Sequence, residues 1–183
     1  MTFASEKKLY CGQSDLPLSE QGAASLLELK QQGIYPKSAD MFFTSGLLRA
    51  ENTLELLYGP VHRQVLLQLA EYKFGIFEMK SYEELKKQAE YQAWIADETG
   101  LVTCPGGESR QEFTHRVLAG FGVLTEKTRQ NETTLAVCHG GVIVAIMEHL
   151  FPSTRRFYEW QPEPGRGYSI TYAPEEPYSW SNI

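Results

Sequence analysis

Two short apolar runs that turn directly into helical patterns constrain this chain more than any other feature of its sequence. Asp40 to Thr44 (DMFFT) passes through Ser45-Gly46 into a segment where Leu47, Ala50, Leu54 and Leu57 recur at spacings of 3, 4 and 3, the buried stripe of a helix. Thr134 to Cys138 (TLAVC) passes through His139-Gly140-Gly141 into the helical run Val142 to Leu150. Runs of this length suit strands, and one without polar alternation suits a strand covered on both faces. Strands alternating with helices through short links predict an α/β fold: a three-layer sandwich, mostly parallel, with helices on both faces of the sheet.

The other segments extend the alternation. Ser19 to Gln32 reads as a helix with Ser19 as N-cap, apolar at Ala23, Leu26, Leu27 and Leu29, and stopped by Gly33. Ser45 is placed to cap the helix after the first run, and Gly59-Pro60 ends it. Val65 to Leu69 reads as a further strand, followed by a glycine-containing loop and a polar helical stretch from about Ser81 to Glu98. After the loop Thr103 to Glu108 (TCPGGE), Phe113, Val117, Phe121 and Leu124 mark one face of a longer helix ending near Arg129. Beyond Phe151 lie five of the nine prolines and many aromatics, which predict a late strand near Tyr168 to Tyr172 and a tail.

A length of 183 residues fits one domain. The net charge of −6 argues against nucleic acid or an anionic membrane as partner, because both select basic surfaces. Cys11, Cys104 and Cys138 are too few and too scattered for a disulfide framework and form no CxxC pair, which suits a reducing cytoplasm. The N-terminal MTFASEKKLYCG has no apolar signal region, and no run approaches the ~18 apolar residues of a membrane span. His62, His115 and His149 have no metal-ligand spacing, so no metal is expected.

Both strand-to-helix junctions should open at one edge of the sheet, beyond the strand ends where such folds bind ligands. Helix N-termini there present unpaired N–H groups to an anion, and Arg49, one turn in, adds a fork suited to phosphate oxygens. Taken alone, Arg49 reads first as a solvated surface arginine. His139, ahead of two glycines, is either a ligand-facing or a structural histidine. Glu71, in LAEYKFGIFEM, is either a solvated carboxylate or, in an apolar pocket, a general acid.

Together these segments resemble the histidine phosphatase superfamily, which includes the cofactor-dependent phosphoglycerate mutases. Five motifs match in order: Gly12 to Ser19 (GQSDLPLS); Ser45 to Arg49 with Ala50 and Thr53; Glu71 with Phe74-Gly75; Pro105 to Ser109 (PGGES); and Val137 to Gly141. The resemblance implies a phosphomonoester hydrolase working through a phosphohistidine on a small phosphorylated metabolite. Arg49 then binds phosphate, Glu71 protonates the leaving oxygen and later activates water, and His139 hydrogen-bonds the phosphoryl group. Thr2, Ser5, Cys11, Gly12 and Gly140 line the pocket. No metal or cofactor is implied. Glu78-Met79-Lys80, with Tyr91 and Trp94, look most like the α-ribazole phosphatases of cobalamin assembly, where the broader family has Glu-Gly at positions 78 and 79.

Two departures matter. The family opens with a strand ending in Arg-His-Gly, a variable residue and Thr or Ser; Met1-Thr2 stand at the last two positions, so the nucleophilic histidine is absent and the chain as given is expected to be almost inactive. Ser5 stands where Asn is usual. Without the first strand, Met1 to Tyr10 are expected to be poorly ordered or displaced. Residues 72–108 are expected to form a small cap, and the aromatic C-terminal segment (Tyr168, Tyr172, Tyr178, Trp180) to be available for a homodimer contact. The competing readings are a phosphoglycerate mutase-type phosphotransferase and a non-catalytic anion-binding module.

Overall fold

Strand β1 (Met41–Thr44) forms the centre of a three-stranded parallel sheet, with β2 (Gln64–Val65) on one side and β3 (Thr134–Val137) on the other. The computed structural model describes residues 1–152, 154, 157–173 and 176–183. The register pairs Thr44 with both Val65 and Val137, so all three strands end level and their following turns share one edge. Helices α2 (Glu20–Gln31), α3 (Leu48–Tyr58), α6 (Arg110–Lys127) and α7 (Gly140–Leu150) flank the sheet. The fold is the mixed α/β architecture expected, and Phe43, Leu69, Phe113, Val117 and Val142 fill its main core.

Ser19 caps α2 by accepting from the Gly22 amide at 3.0 Å, as its position predicts. Gly59 ends α3 at φ 75°, a conformation that costs glycine little. Ala50, Leu54 and Leu57 form the buried stripe of α3.

Several expectations need correction. The strand expected over Val65 to Leu69 stops at Val65 and becomes a 3₁₀ turn, Leu67–Leu69. That turn packs against α6, where a Cβ at Gly120 would come within 2.7 Å of Gln68 Cβ, so the chain leaves the sheet to reach the helix. The helix expected over Ser81 to Glu98 is two short ones, α4 (Tyr82–Leu85) and α5 (Ala89–Ile95), with Gln88 extended between them. Leu85 and Tyr91 are both fully buried although six residues apart, a spacing that puts side chains on different faces of one helix; the break lets both turn inward. Strand β3 is half buried throughout and, among the described residues, pairs with β1 alone, so it is an edge strand of this sheet.

Met1 to Tyr10 are built into the structure. Phe3–Glu6 form α1 with Thr2 and Ser5 in a reciprocal capping box, and Ala4 is fully buried. The Tyr10 amide donates to Lys80 O at 2.9 Å and the Met79 amide to Tyr10 O at 2.7 Å, which fastens the segment to residues 79–80. The C-terminal tail is an antiparallel hairpin, β4 (Tyr168–Ala173) with β5 (Glu176–Asn182), after the single turn α8 (Phe157–Trp160). Tyr168 and Trp180 of that hairpin pack around fully buried Trp160 against Val144 and Met147 of α7, so two of the four aromatics expected at a partner contact serve the chain's own second core. Tyr172 and Tyr178 stack on each other with ring centres 4.9 Å apart.

Among the described residues no helix is long and apolar enough to cross a membrane.

Candidate active site

The level ends of β1 and β3 set Ser45 beside His139, and Ser45 Oγ lies 2.7 Å from His139 Nε2. Both residues are buried. Ser45 therefore does not cap α3 as expected; its hydroxyl meets His139 and accepts weakly from the Leu47 amide at 3.3 Å. The open helix end is met by Asp15, whose Oδ1 accepts from the Leu48 amide at 2.6 Å. His139 is the extended residue before α7 and makes no side-chain cap of its own. Burial, reinforced by the positive charges of Arg49 and Arg116, drives its pKa down to about 3, so its ring is neutral over the physiological range.

Glu71 enters the same space from the turn after Leu67–Leu69. Its Oε2 accepts from the Gly141 amide in the first turn of α7 at 3.0 Å, and its Oε1 from the Tyr72 amide at 2.8 Å. A Cβ at Gly141 would lie 2.4 Å from Glu71 Oε1, so the carboxylate and the helix meet only because that residue is glycine. Burial raises the Glu71 pKa above its ordinary value, opposed by the two amide bonds and, less strongly, by Arg49 and Arg116. Gly140 faces Gln161 instead: a Cβ there would lie 2.1 Å from Gln161 Nε2.

Arg49, in the first turn of α3, reaches across to the loop following Cys11. Its Nη2 donates to Gly12 O at 2.6 Å and its Nη1 to Ser14 O at 3.0 Å. Cys11 lies beside it, its thiol pKa raised chiefly by burial and lowered in part by Arg49. Gly12 is buried so tightly that a Cβ would overlap Tyr72 O at 1.7 Å. Arg49, Glu71, His139, Cys11 and Gly12 thus form one cluster. Ser5 is different: its hydroxyl bonds Thr2 Oγ1 at 3.0 Å and its side chain accepts from the Thr2 amide at 3.1 Å, so its polar contacts are those of the α1 cap.

Three supporting residues have holding roles that the sequence did not reveal. Arg116 on α6 donates to Gln68 O at 2.8 Å, Ala70 O at 2.9 Å and Glu71 O at 3.3 Å, and pairs with both carboxylate oxygens of Glu108 at 2.6 and 3.2 Å. Glu108 also accepts from the Lys73 amide at 2.8 Å, which ties the PGGES loop to the Glu71 turn. Glu78 gathers the amides of the Gly12 loop. The last two stood inside matched motifs, the one available signal; Arg116 had none, being one arginine on a polar helix face.

Two cavities of about 290 and 380 Å³ lie away from this cluster, the first beside Met1, Gly22 and Leu26, the second beside Met41, Phe42 and His62. Among the described residues, no group of three or more His, Cys, Asp or Glu is arranged to hold a metal ion.

Chemically, the cluster combines a cationic fork, a neutral imidazole, a helix N-terminus and a carboxyl group inclined to hold its proton. Such a set stabilises a tetrahedral oxyanion and supplies a proton to an oxygen leaving it.

The chain resembles known proteins in sequence and in fold. The family model for the histidine phosphatase superfamily (branch 1) matches residues 1–179. A 2,3-bisphosphoglycerate-dependent phosphoglycerate mutase from Bradyrhizobium diazoefficiens is 31% identical over 160 residues, covering 80% of this chain and 76% of its own. The alpha-ribazole phosphatase from Shigella flexneri superposes with a TM-score of 0.80 at 24% identity, covering 95% of this chain and 87% of that one. A phosphoglycerate mutase from Thermus thermophilus superposes with a TM-score of 0.67 at 28% identity, over 91% and 85% of the two chains.

Proposed function

Because the chain belongs to the histidine phosphatase superfamily, we propose that it is a phosphomonoester hydrolase for a small phosphorylated metabolite, with Arg49 holding the phosphate and Glu71 donating the proton. The observation that carries this reading is the Glu71 carboxyl, raised in pKa by burial and set on the Gly141 amide in a cluster with Arg49 and His139. In the reaction so read, the ester P–O bond breaks and its oxygen takes the Glu71 proton. Phosphorus passes to a histidine, and water deprotonated by Glu71 then releases inorganic phosphate. The resemblance assigns the accepting histidine to an Arg-His-Gly motif that these 183 residues do not contain, so the reading applies to the chain joined to that motif. These residues alone should turn over extremely slowly, since losing a nucleophile costs on the order of 10⁶-fold.

Residues 72–108 act as the cap that selects substrate. The likeness of Glu78-Met79-Lys80, Tyr91 and Trp94 to α-ribazole phosphatases supports α-ribazole 5'-phosphate as that substrate. A mutase-type phosphotransferase is the second reading, favoured by the 31% identity to a phosphoglycerate mutase.

The deciding experiment adds a strand ending in Arg-His-Gly before Met1 and follows free phosphate with α-ribazole 5'-phosphate and with 3-phosphoglycerate. Free phosphate from the first is expected. Interconversion of phosphoglycerates without phosphate release would favour the mutase, and no reaction with either would return the chain to the anion-binding alternative.

A further inference from the structure

Arg49 is an arginine whose useful geometry depends on a loop, and that loop is held from behind. The Glu78 carboxylate accepts from the amides of Gly12 at 3.0 Å, Gln13 at 2.9 Å and Ser14 at 3.4 Å, from Ser14 Oγ at 2.8 Å, and from the Phe74 amide at 3.2 Å. Successive amides turned toward one carboxylate leave the carbonyls free to point elsewhere. Gly12 O and Ser14 O accept from Arg49. The peptide unit joining Gly12 to Gln13 spans the two charges directly: its N–H bonds Glu78 and its C=O bonds Arg49, so each ion polarises the bond made by the other. Glu78 is itself fixed, because its amide donates to Gly75 O at 3.1 Å and the next residue's amide to Tyr10 O at 2.7 Å.

We infer that Glu78 is a positioning residue for Arg49. It makes no contact with the reacting groups; it sets the two carbonyls that hold one part of the guanidinium fork, leaving three of the five N–H donors for an anion. A long side chain held this way has already lost the rotamer freedom that binding would otherwise remove. The inference rests on the reading of Arg49 as the phosphate ligand.

The test is a double-mutant cycle on the chain as it stands, measuring inorganic phosphate affinity by calorimetry for the parent, Glu78→Gln, Arg49→Ala and the double variant. A glutamine keeps the size but presents an amide nitrogen to at least one N–H. Glu78→Gln should weaken phosphate by about tenfold, the scale of one charge-assisted hydrogen bond. It should cause no further loss in the Arg49→Ala background, and Glu78→Asp, which keeps the charge, should fall between parent and Glu78→Gln. Parent-like affinity in Glu78→Gln, or an equal loss with and without Arg49, overturns the inference. If Glu78→Gln does not fold, the cycle is run with Glu78→Asp and the same two outcomes decide. Unchanged affinity in Arg49→Ala would instead overturn the phosphate-ligand reading itself, a distinct result.

Discussion

Glu71 and Gly141, seventy positions apart, meet through a 3.0 Å hydrogen bond from the Gly141 amide to Glu71 Oε2. The bond puts a carboxyl at the N-terminus of α7, where helix charge favours its anion, while burial favours its acid form more strongly. This balance makes the group responsive to pH.

Glu71 should take up its proton above the ordinary glutamate value of 4.5. The folded state then binds that proton more tightly than the unfolded one. Its contribution to stability is full below 4.5 and is lost as pH rises through the raised value. A carbon NMR titration of the Glu71 carboxyl checks this, and a midpoint at or below 4.5 would refute it.

His139 acts in the opposite sense. Its pKa falls from 6.5 to about 3, so the unfolded chain binds the extra proton, and stability drops as pH is lowered from 6.5 toward 3. Denaturant midpoints across that range should fall for the parent and fall less for His139→Gln. Parallel pH curves would show that His139 is not held neutral.

Helix propensity alone predicts that Gly141→Ala stabilises α7 by up to about 1 kcal/mol. The structure predicts the reverse, because the new Cβ would sit 2.4 Å from Glu71 Oε1. The expected cost is about 1–3 kcal/mol, the range for overpacking, with displacement of the Glu71 carboxyl. Chemical denaturation of the variant decides the sign.

Removing Arg116 strips Glu108 of its ion-pair partner and takes a donor from each of the Gln68, Ala70 and Glu71 carbonyls. With the pair only partly exposed, Arg116→Ala should destabilise by about 2–3 kcal/mol, somewhat less than a fully buried pair. It should also raise the Glu71 pKa further, since Arg116 now lowers it. A loss below about 0.5 kcal/mol, the scale of surface substitutions, would reduce Arg116 to a surface residue.

For the chain extended before Met1 by a strand ending in Arg-His-Gly, Glu71→Gln should slow sugar-phosphate cleavage by ~10²–10⁴-fold and nitrophenyl phosphate far less. A good leaving group needs no proton. Equal slowing of both substrates, read from steady-state rates, would remove Glu71 from the donor role.

The parallel β1–β3 core was legible because apolar runs and the 3, 4, 3 spacing of Leu47, Ala50, Leu54 and Leu57 report burial locally. The caps at Ser19 and Gly59 were legible for the same reason: each acts within one turn of chain. The motif order was enough to bring Arg49, Glu71 and His139 forward as a group. Sequence could not tell that Ser45 would bond His139 rather than cap α3, or that Asp15 would cap that helix. Nor could it show that Glu78 and Arg116 would hold the loops carrying Gly12 and Glu71. Those contacts join residues dozens of positions apart, and a polar side chain's partner is decided by which backbone groups the packed elements leave facing it. Local pattern determines which faces are buried; only the tertiary arrangement determines which polar groups meet there.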